Sequence, residues 1–194
     1  MTSSLSSETL TRLRAATAMA HRELEDQVNI PKVCTTRAGY QRLLEDFLGF
    51  FEPLESRLQE NQGWEEKGFR WSERAKVGML CEDLRALGHS AETMAALPRC
   101  AEVSRPENLA EAFGCAYVLE GSTLGGRHIV SVLERSELPQ DARHYFSSYG
   151  AEVGTRWREF CAMLSEFPDT EAEAMTPLAV ETFNHLGAWL SRPR

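Results

Sequence analysis

Two stretches of this chain combine residue types that could do chemistry. In the first, Arg14, Thr17, His21 and Glu25 recur at steps of three and four, so on a 3.6-residue repeat they share one face of a helix. An imidazole with a carboxylate four residues on, within reach of its ring edge, is the pairing in which an acid orients a metal-ligating histidine. The same pairing also suits a hydrogen-bonded histidine in a core. Arg14 lies two turns before His21, roughly 10 Å away by helical rise, where a guanidinium could meet an anionic group on whatever the histidine holds, or simply be solvated.

The second stretch runs from Gly114 to Gly126 and holds four glycines, Gly114, Gly121, Gly125 and Gly126. Each costs roughly 1 kcal/mol relative to Ala inside a helix, so something must offset them. Gly114, Gly121 and Gly125 are seven and four residues apart and fall on one face, which leaves the main chain bare for close approach. The occupant could be a neighbouring helix or a flat ligand. Gly and Ser neighbours are kink sites, so the run Gly121-Ser122-Thr123-Leu124-Gly125-Gly126 also invites a bend.

The elements that must position these residues read as helix after helix. Ser6 or Ser7 can cap a first helix with Leu10, Leu13, Thr17, Ala20, Leu24 and Val28 inward, ending before Pro31. His21 then falls on the inward stripe. Thr36 can cap a second helix through Leu58, bent at Pro53, followed by a polar loop over 59–69 that Trp64 and Phe69 anchor. A helix over 72–87 ends at Gly88, with His89 exposed in the turn, and a shorter one covers 90–97. Ser104-Arg105-Pro106-Glu107 has capping-box spacing and opens the glycine-bearing helix, which runs to about Arg135 with a break over 121–126. Asp141 can cap a short helix through Tyr149. A further helix covers 151–166 with Val153, Trp157, Phe160, Cys161 and Leu164 inward and Arg156 and Arg158 beside that face. Thr170-Glu171-Ala172-Glu173 opens the last helix, kinked at Pro177. No stretch has the alternation and turn pairs of a hairpin, so the expectation is an all-α, single-domain helical bundle over 1–194.

Composition bounds the function. A net charge of −8 over 194 residues argues against a general nucleic-acid surface, which needs clustered Lys and Arg. Five scattered cysteines (Cys34, Cys81, Cys100, Cys115, Cys161) without a CxxC pair suit reduced thiols and a cytoplasmic location. Met1 to Ser7 lacks the basic and apolar regions of a leader, and no run approaches the roughly 20 apolar residues of a membrane span.

A flat ligand that takes one neutral imidazole on one side and close main chain on the other is haem. Leu13-Arg14-Ala15-Ala16-Thr17-Ala18-Met19-Ala20-His21 resembles the proximal helix of the haem oxygenases. Glu120-Gly121-Ser122-Thr123-Leu124-Gly125-Gly126 resembles their distal helix, most closely in the bacterial, bacteriophytochrome-associated enzymes, and the resemblance spans most of the chain. It implies a haem-oxygenase-like bundle with a kinked, glycine-rich distal helix and haem as both cofactor and substrate. His21 would be the proximal iron ligand. Gly121, Ser122 and Gly125 would shape the oxygen side, and Arg14, Glu25, Tyr117, Gly126 and Arg158 would line or pair with the haem. Oxygen and an external electron donor (a reductase, ferredoxin or ascorbate) would open the ring at a meso carbon to biliverdin, carbon monoxide and ferrous iron. The reaction would supply bilin chromophore, with a bacteriophytochrome as one destination, and/or iron.

Two positions depart from the animal members. They have aspartate where this chain has Ser122, a residue that orients water but carries no charge, and bacterial relatives share the serine. They have a basic residue at Ala18. Two other readings use the same residues: a tetrapyrrole carrier that binds haem through His21 without turning it over, and a thiaminase-like hydrolase with Cys115 or Cys161 as nucleophile.

Overall fold

The computed structural model describes residues 5–135 and 138–193, and every regular element among them is helical. The helices are α1 (Leu5–Val28), α2 (Ile30–Val33), α3 (Arg37–Gln59), α4 (Trp71–Arg74), α5 (Val77–Ala86), α6 (Ala91–Ala95), α7 (Leu109–Ser122), α8 (Gly126–Leu133), α9 (His144–Ser147), α10 (Val153–Leu164) and α11 (Asp169–Leu190). A 3-10 turn, Thr123–Gly125, joins α7 to α8. Met1 to Ser4, Ser136, Glu137 and Arg194 lie outside the described residues.

Helix α11 lies between α1 and α7 and packs on both, while α10 touches α1, α7 and the turn after α7. The two stretches singled out above are therefore held apart by two shared neighbours. The core that fixes this frame is aromatic. Phe47 and Phe51 of α3 stack on each other and pack against Tyr145 and Phe146. Trp64, Phe69, Phe113 and Phe160 form a second cluster under the loop after α3. Trp64 is anchored further by its indole N–H, which donates to the Leu58 carbonyl at 2.8 Å.

Local chemistry explains most boundaries. Thr36 caps α3 by accepting from the Gly39 N–H at 3.1 Å. Pro53 cannot donate to Gly49, four residues back, and the carbonyl this frees accepts instead from the Cys100 N–H at 2.8 Å. Gly88 ends α5 with φ of 104°, a left-handed conformation suited to glycine.

Several expectations fail, each because a distant group replaces the local one. Helix α1 is already formed at Leu5, so Ser6 and Ser7 lie within it. The segment 72–87 is two helices, because Ala75 is extended and the Lys76 N–H is taken by Glu55 across the core. The Ser104 box does not form. Ser104 is buried against Thr182, at 3.0 Å, and α7 is capped by Asn108, which accepts from the Glu111 N–H at 3.0 Å. Asp141 does not cap the short helix near Tyr149; Asp83 does so from α5. Thr170 lies inside α11, which starts at Asp169. His89 is half-buried between Gln41 and Glu45 rather than exposed.

Candidate functional site

Helix α1 supplies one wall. Leu13, Thr17 and Ala20 are buried, and Arg14, His21 and Glu25 stand along the edge of that face. The inward placement of His21 is only partly realised: its side chain is 54% exposed, with its ring edge-on to Phe183 of α11 at 5.5 Å. Its Nδ1 is 3.5 Å from the Glu25 carboxylate. A carboxylate there favours the tautomer with hydrogen on Nδ1 and leaves the Nε2 lone pair free to bind a metal.

The glycine stretch supplies the other wall, and its glycines divide by what a side chain would meet. At Gly114 a Cβ would run into the Met175 backbone of α11, and at Gly126 into the Phe146 carbonyl. These two serve close packing. At Gly121 only the Trp157 ring lies as near as 4.0 Å, and at Gly125 nothing lies within 4 Å. The face that α11 covers at Gly114 is thus left bare at Gly121 and Gly125. Both readings of the bare stripe hold, at opposite ends.

Between the walls, Tyr117 of α7 is buried and packs on Trp157 of α10 at 5.6 Å. Burial pushes its phenol pKa up, partly offset by the Thr17 hydroxyl and the Arg14 guanidinium of α1. Arg14 also acts on Cys161 of α10, the helix that carries Arg158. Both arginines are exposed. Arg14 has no ion pair among the described residues, and Arg158 donates to the Thr155 hydroxyl at 3.0 Å. Two guanidinium groups without carboxylate partners, on helices that touch, suit a ligand with two carboxylates. The histidine, the bare main chain and the two cations fit haem and its propionates.

Behind the glycine wall lies a set of buried charges that the sequence reading did not find. Glu120, 1% exposed, accepts from Arg74 at 2.5 Å, from Lys76 Nζ at 2.7 Å and from the Tyr149 hydroxyl at 2.8 Å. Burial pulls the Lys76 pKa down against the attraction of Glu120. This knot ties the residue before Gly121 to α4 and the chain between α4 and α5. Glu120→Ala would leave buried Lys76 without a carboxylate and buried Arg74 with Glu159 alone, and is expected to cost about 3–5 kcal/mol in a urea melt. A loss under about 1 kcal/mol would mean that water reaches them.

Ser122 is held from the same side. Its hydroxyl donates to the Leu119 carbonyl at 2.7 Å and accepts from the Tyr145 hydroxyl at 3.2 Å. No helical spacing links Ser122 to Tyr145, so this contact had no signal in the sequence.

The cysteines do not form a nucleophilic site. Cys115 is fully buried, with its thiol pushed up to about 12 by burial, and burial also raises Cys161. Reactive thiols are held in the opposite direction.

The described residues form an all-helical protein with a carboxylate-paired histidine on α1 and open main chain at the end of α7, both helices packing on α11. The Heme oxygenase family model matches residues 7–191, and the chain belongs to the haem oxygenase family. It is 36% identical over 100 residues to a heme oxygenase of Xanthomonas campestris pv. campestris (strain 8004), covering 51% of this chain and 56% of that protein. It is 29% identical over 185 residues to heme oxygenase PigA of Pseudomonas aeruginosa, covering 93% of this chain and 90% of that one. The solved heme oxygenase from Leptospira interrogans superposes with a TM-score of 0.78 at 19% identity, covering 94% and 98% of the two chains. No helix among the described residues is long and apolar enough to cross a membrane.

Proposed function

We propose that this protein is a haem oxygenase that opens haem to biliverdin, with His21 as the single protein ligand to iron. Family membership supports the reaction class, and the observation that carries the assignment of residues is the pairing of His21 and Glu25 on α1, taken with the open main chain at Gly121 and Gly125. When bound, haem supplies the chemistry, since with oxygen and electrons its own meso carbon is oxidised and the ring is released as biliverdin with carbon monoxide and ferrous iron.

The chain contributes placement. Glu25 fixes the imidazole tautomer and the orientation of the ring. Arg14 and Arg158 pair with the propionates, each charge-assisted bond contributing roughly 1.5–3 kcal/mol, and so set the rotation of the ring in the slot. Gly121 and Gly125 leave room on the oxygen side, Tyr117 and Trp157 close the floor, and Ser122 orients water. Electrons come from an external donor, a reductase, ferredoxin or ascorbate. Five free thiols favour a reducing compartment such as the cytoplasm, from which the bilin could pass to a bacteriophytochrome.

The test is turnover. Purified protein loaded with haemin and given a reductant in air should lose its Soret band as broad red absorption grows, and chromatography of the product should show biliverdin. A stable oxygenated spectrum without pigment would make it a carrier. A sample that gains no Soret band with haemin would remove haem altogether.

A further inference from the structure

The imidazole of His21 has two polar or ring contacts among the described residues, and only one of them is with a rigid group. Its Nδ1 meets the Glu25 carboxylate at 3.5 Å, with the two side chains 54% and 66% exposed. An exposed pair at that distance is weak, and a flexible carboxylate follows the ring as readily as it steers it. The contact settles which way Nδ1 points, and with it the tautomer, but a single contact leaves the plane of the ring free to tilt. The other contact is with the ring of Phe183 on α11, whose centroid lies 5.5 Å away with the two planes 76° apart. Edge-to-face pairs of this kind have a preferred geometry and resist rotation out of it. Phe183 is buried, and its own place is fixed. Thr182, the residue before it, is fully buried, with its hydroxyl donating to the Leu178 carbonyl at 2.7 Å and lying 3.0 Å from the Ser104 hydroxyl. Toward the ends of the helix pair, Arg12 of α1 donates to Glu173 of α11 at 3.3 Å and Ser191 donates to Gln27 of α1 at 3.1 Å. Between them Gly187 faces Leu24 and Gln27. Helix α11 cannot slide along α1 without breaking these contacts, so Phe183 stays beside His21.

We propose that Phe183 is a positioning residue for His21: its ring holds the plane of the imidazole at one angle, so that Nε2 is presented along one line. This rests on the reading of His21 as the iron ligand given above. Glu25 and Phe183 divide the task of orienting a metal-binding imidazole. The carboxylate selects the nitrogen that carries hydrogen, and the phenyl ring sets the tilt. The angle has a consequence beyond the bond itself. An imidazole donates through its lone pair in the ring plane and through its π system at right angles to that plane, so a ring free to turn keeps the first and blurs the second. A buried phenylalanine on a neighbouring helix therefore governs a property of the ligand that neither His21 nor Glu25 can set on the exposed rim of α1.

The first measurement needs no haem. In haem-free protein with 13C-labelled histidine, the order parameter of the His21 Cε1–H bond should lie near that of rigid backbone, roughly 0.8, and fall below about 0.6 in Phe183→Leu and Phe183→Met. Both replacements are apolar, flexible and without a flat face, and urea melts establish that each variant is folded under the conditions of the measurement. Phe183→Tyr keeps the ring and should keep the wild-type value. A His21 ring that stays ordered in the folded Leu and Met variants overturns the proposal, and so does one that is already mobile in the wild type. The second measurement uses haem-loaded ferric protein with cyanide as the sixth ligand, which has no plane of its own. The wild type should give widely spread haem methyl proton shifts, set by one imidazole angle. The Leu and Met variants should give a narrower spread as the angle averages, with haem affinity by Soret titration lower by less than about tenfold. A methyl pattern that does not change overturns the proposal. If haem binds the wild type without shifting the His21 ring signals, the ligand reading fails and this role with it, while the haem-free order parameters still report whether the phenyl ring holds the imidazole.

Discussion

Replacing His21 with alanine is expected to abolish turnover and weaken haem binding by at least about a hundredfold, about 2.7 kcal/mol. The ring stands at the rim of α1 with its Nδ1 toward Glu25, and the other four histidines lie on other elements, His128 among them on α8. His89 is engaged by Gln41 and Glu45, His144 lies beside Glu82 and His185 beside Glu181 and Ser104. Because the side chain is half exposed and its ring contact is the edge-on one with Phe183, the fold should lose no more than about 1 kcal/mol. That separation matters, since it lets loss of the ligand be told from loss of the protein. Added imidazole should enter the space left by the ring and restore part of the spectrum and the activity. Glu25→Gln should act more weakly, with roughly a tenfold loss of affinity, because it disturbs only the tautomer and orientation of the ring. A His21→Ala protein with the wild-type haem spectrum would move the ligand to another histidine.

What could be read in the sequence was what depends on near neighbours along the chain. The Arg14–His21–Glu25 stripe, the break after Gly121, the Thr36 cap and the Gly88 stop all follow from helical periodicity or from a single residue's conformational preference. What could not be read depends on pairs far apart in number. Lys76 and Glu120 look like ordinary solvated charges in a sequence, and only the break between α4 and α5 turns the lysine inward to meet the carboxylate. The caps failed for the same reason. Ser104 was free to cap a helix until Thr182 offered its hydroxyl, and Asp141 was unnecessary once Asp83 reached the N–H groups of His144 and Tyr145. The glycine stripe shows the boundary within one motif. Spacing placed Gly114, Gly121 and Gly125 on one face, but only the position of α11 decides which of them is covered.

That division leads to a second large effect, at Gly125. Its backbone is right-handed, with φ of −77° and ψ of −12°, and nothing lies within 4 Å of where a Cβ would stand. Gly125→Val should therefore fold, with stability within about 1 kcal/mol of wild type. The added branches would project into the open space beside Gly125, which the proposed function assigns to oxygen. Turnover should drop by about a hundredfold or more, since small displacements of reacting groups carry penalties of that size, while haem affinity should change by less than about fivefold. Gly114→Ala and Gly126→Ala should do the reverse. Their new methyl groups meet the Met175 backbone and the Phe146 carbonyl, neither of which can rotate away as a side chain could. Overpacking of this kind costs about 1–3 kcal/mol or more, and the protein that remains folded should turn haem over at close to the normal rate. Urea melts and single-turnover rates measured on all three variants would separate the two roles. If Gly125→Val lost as much stability as Gly114→Ala and kept its activity per folded molecule, the open face would be a packing surface, and the oxygen side of the site would have to be sought elsewhere.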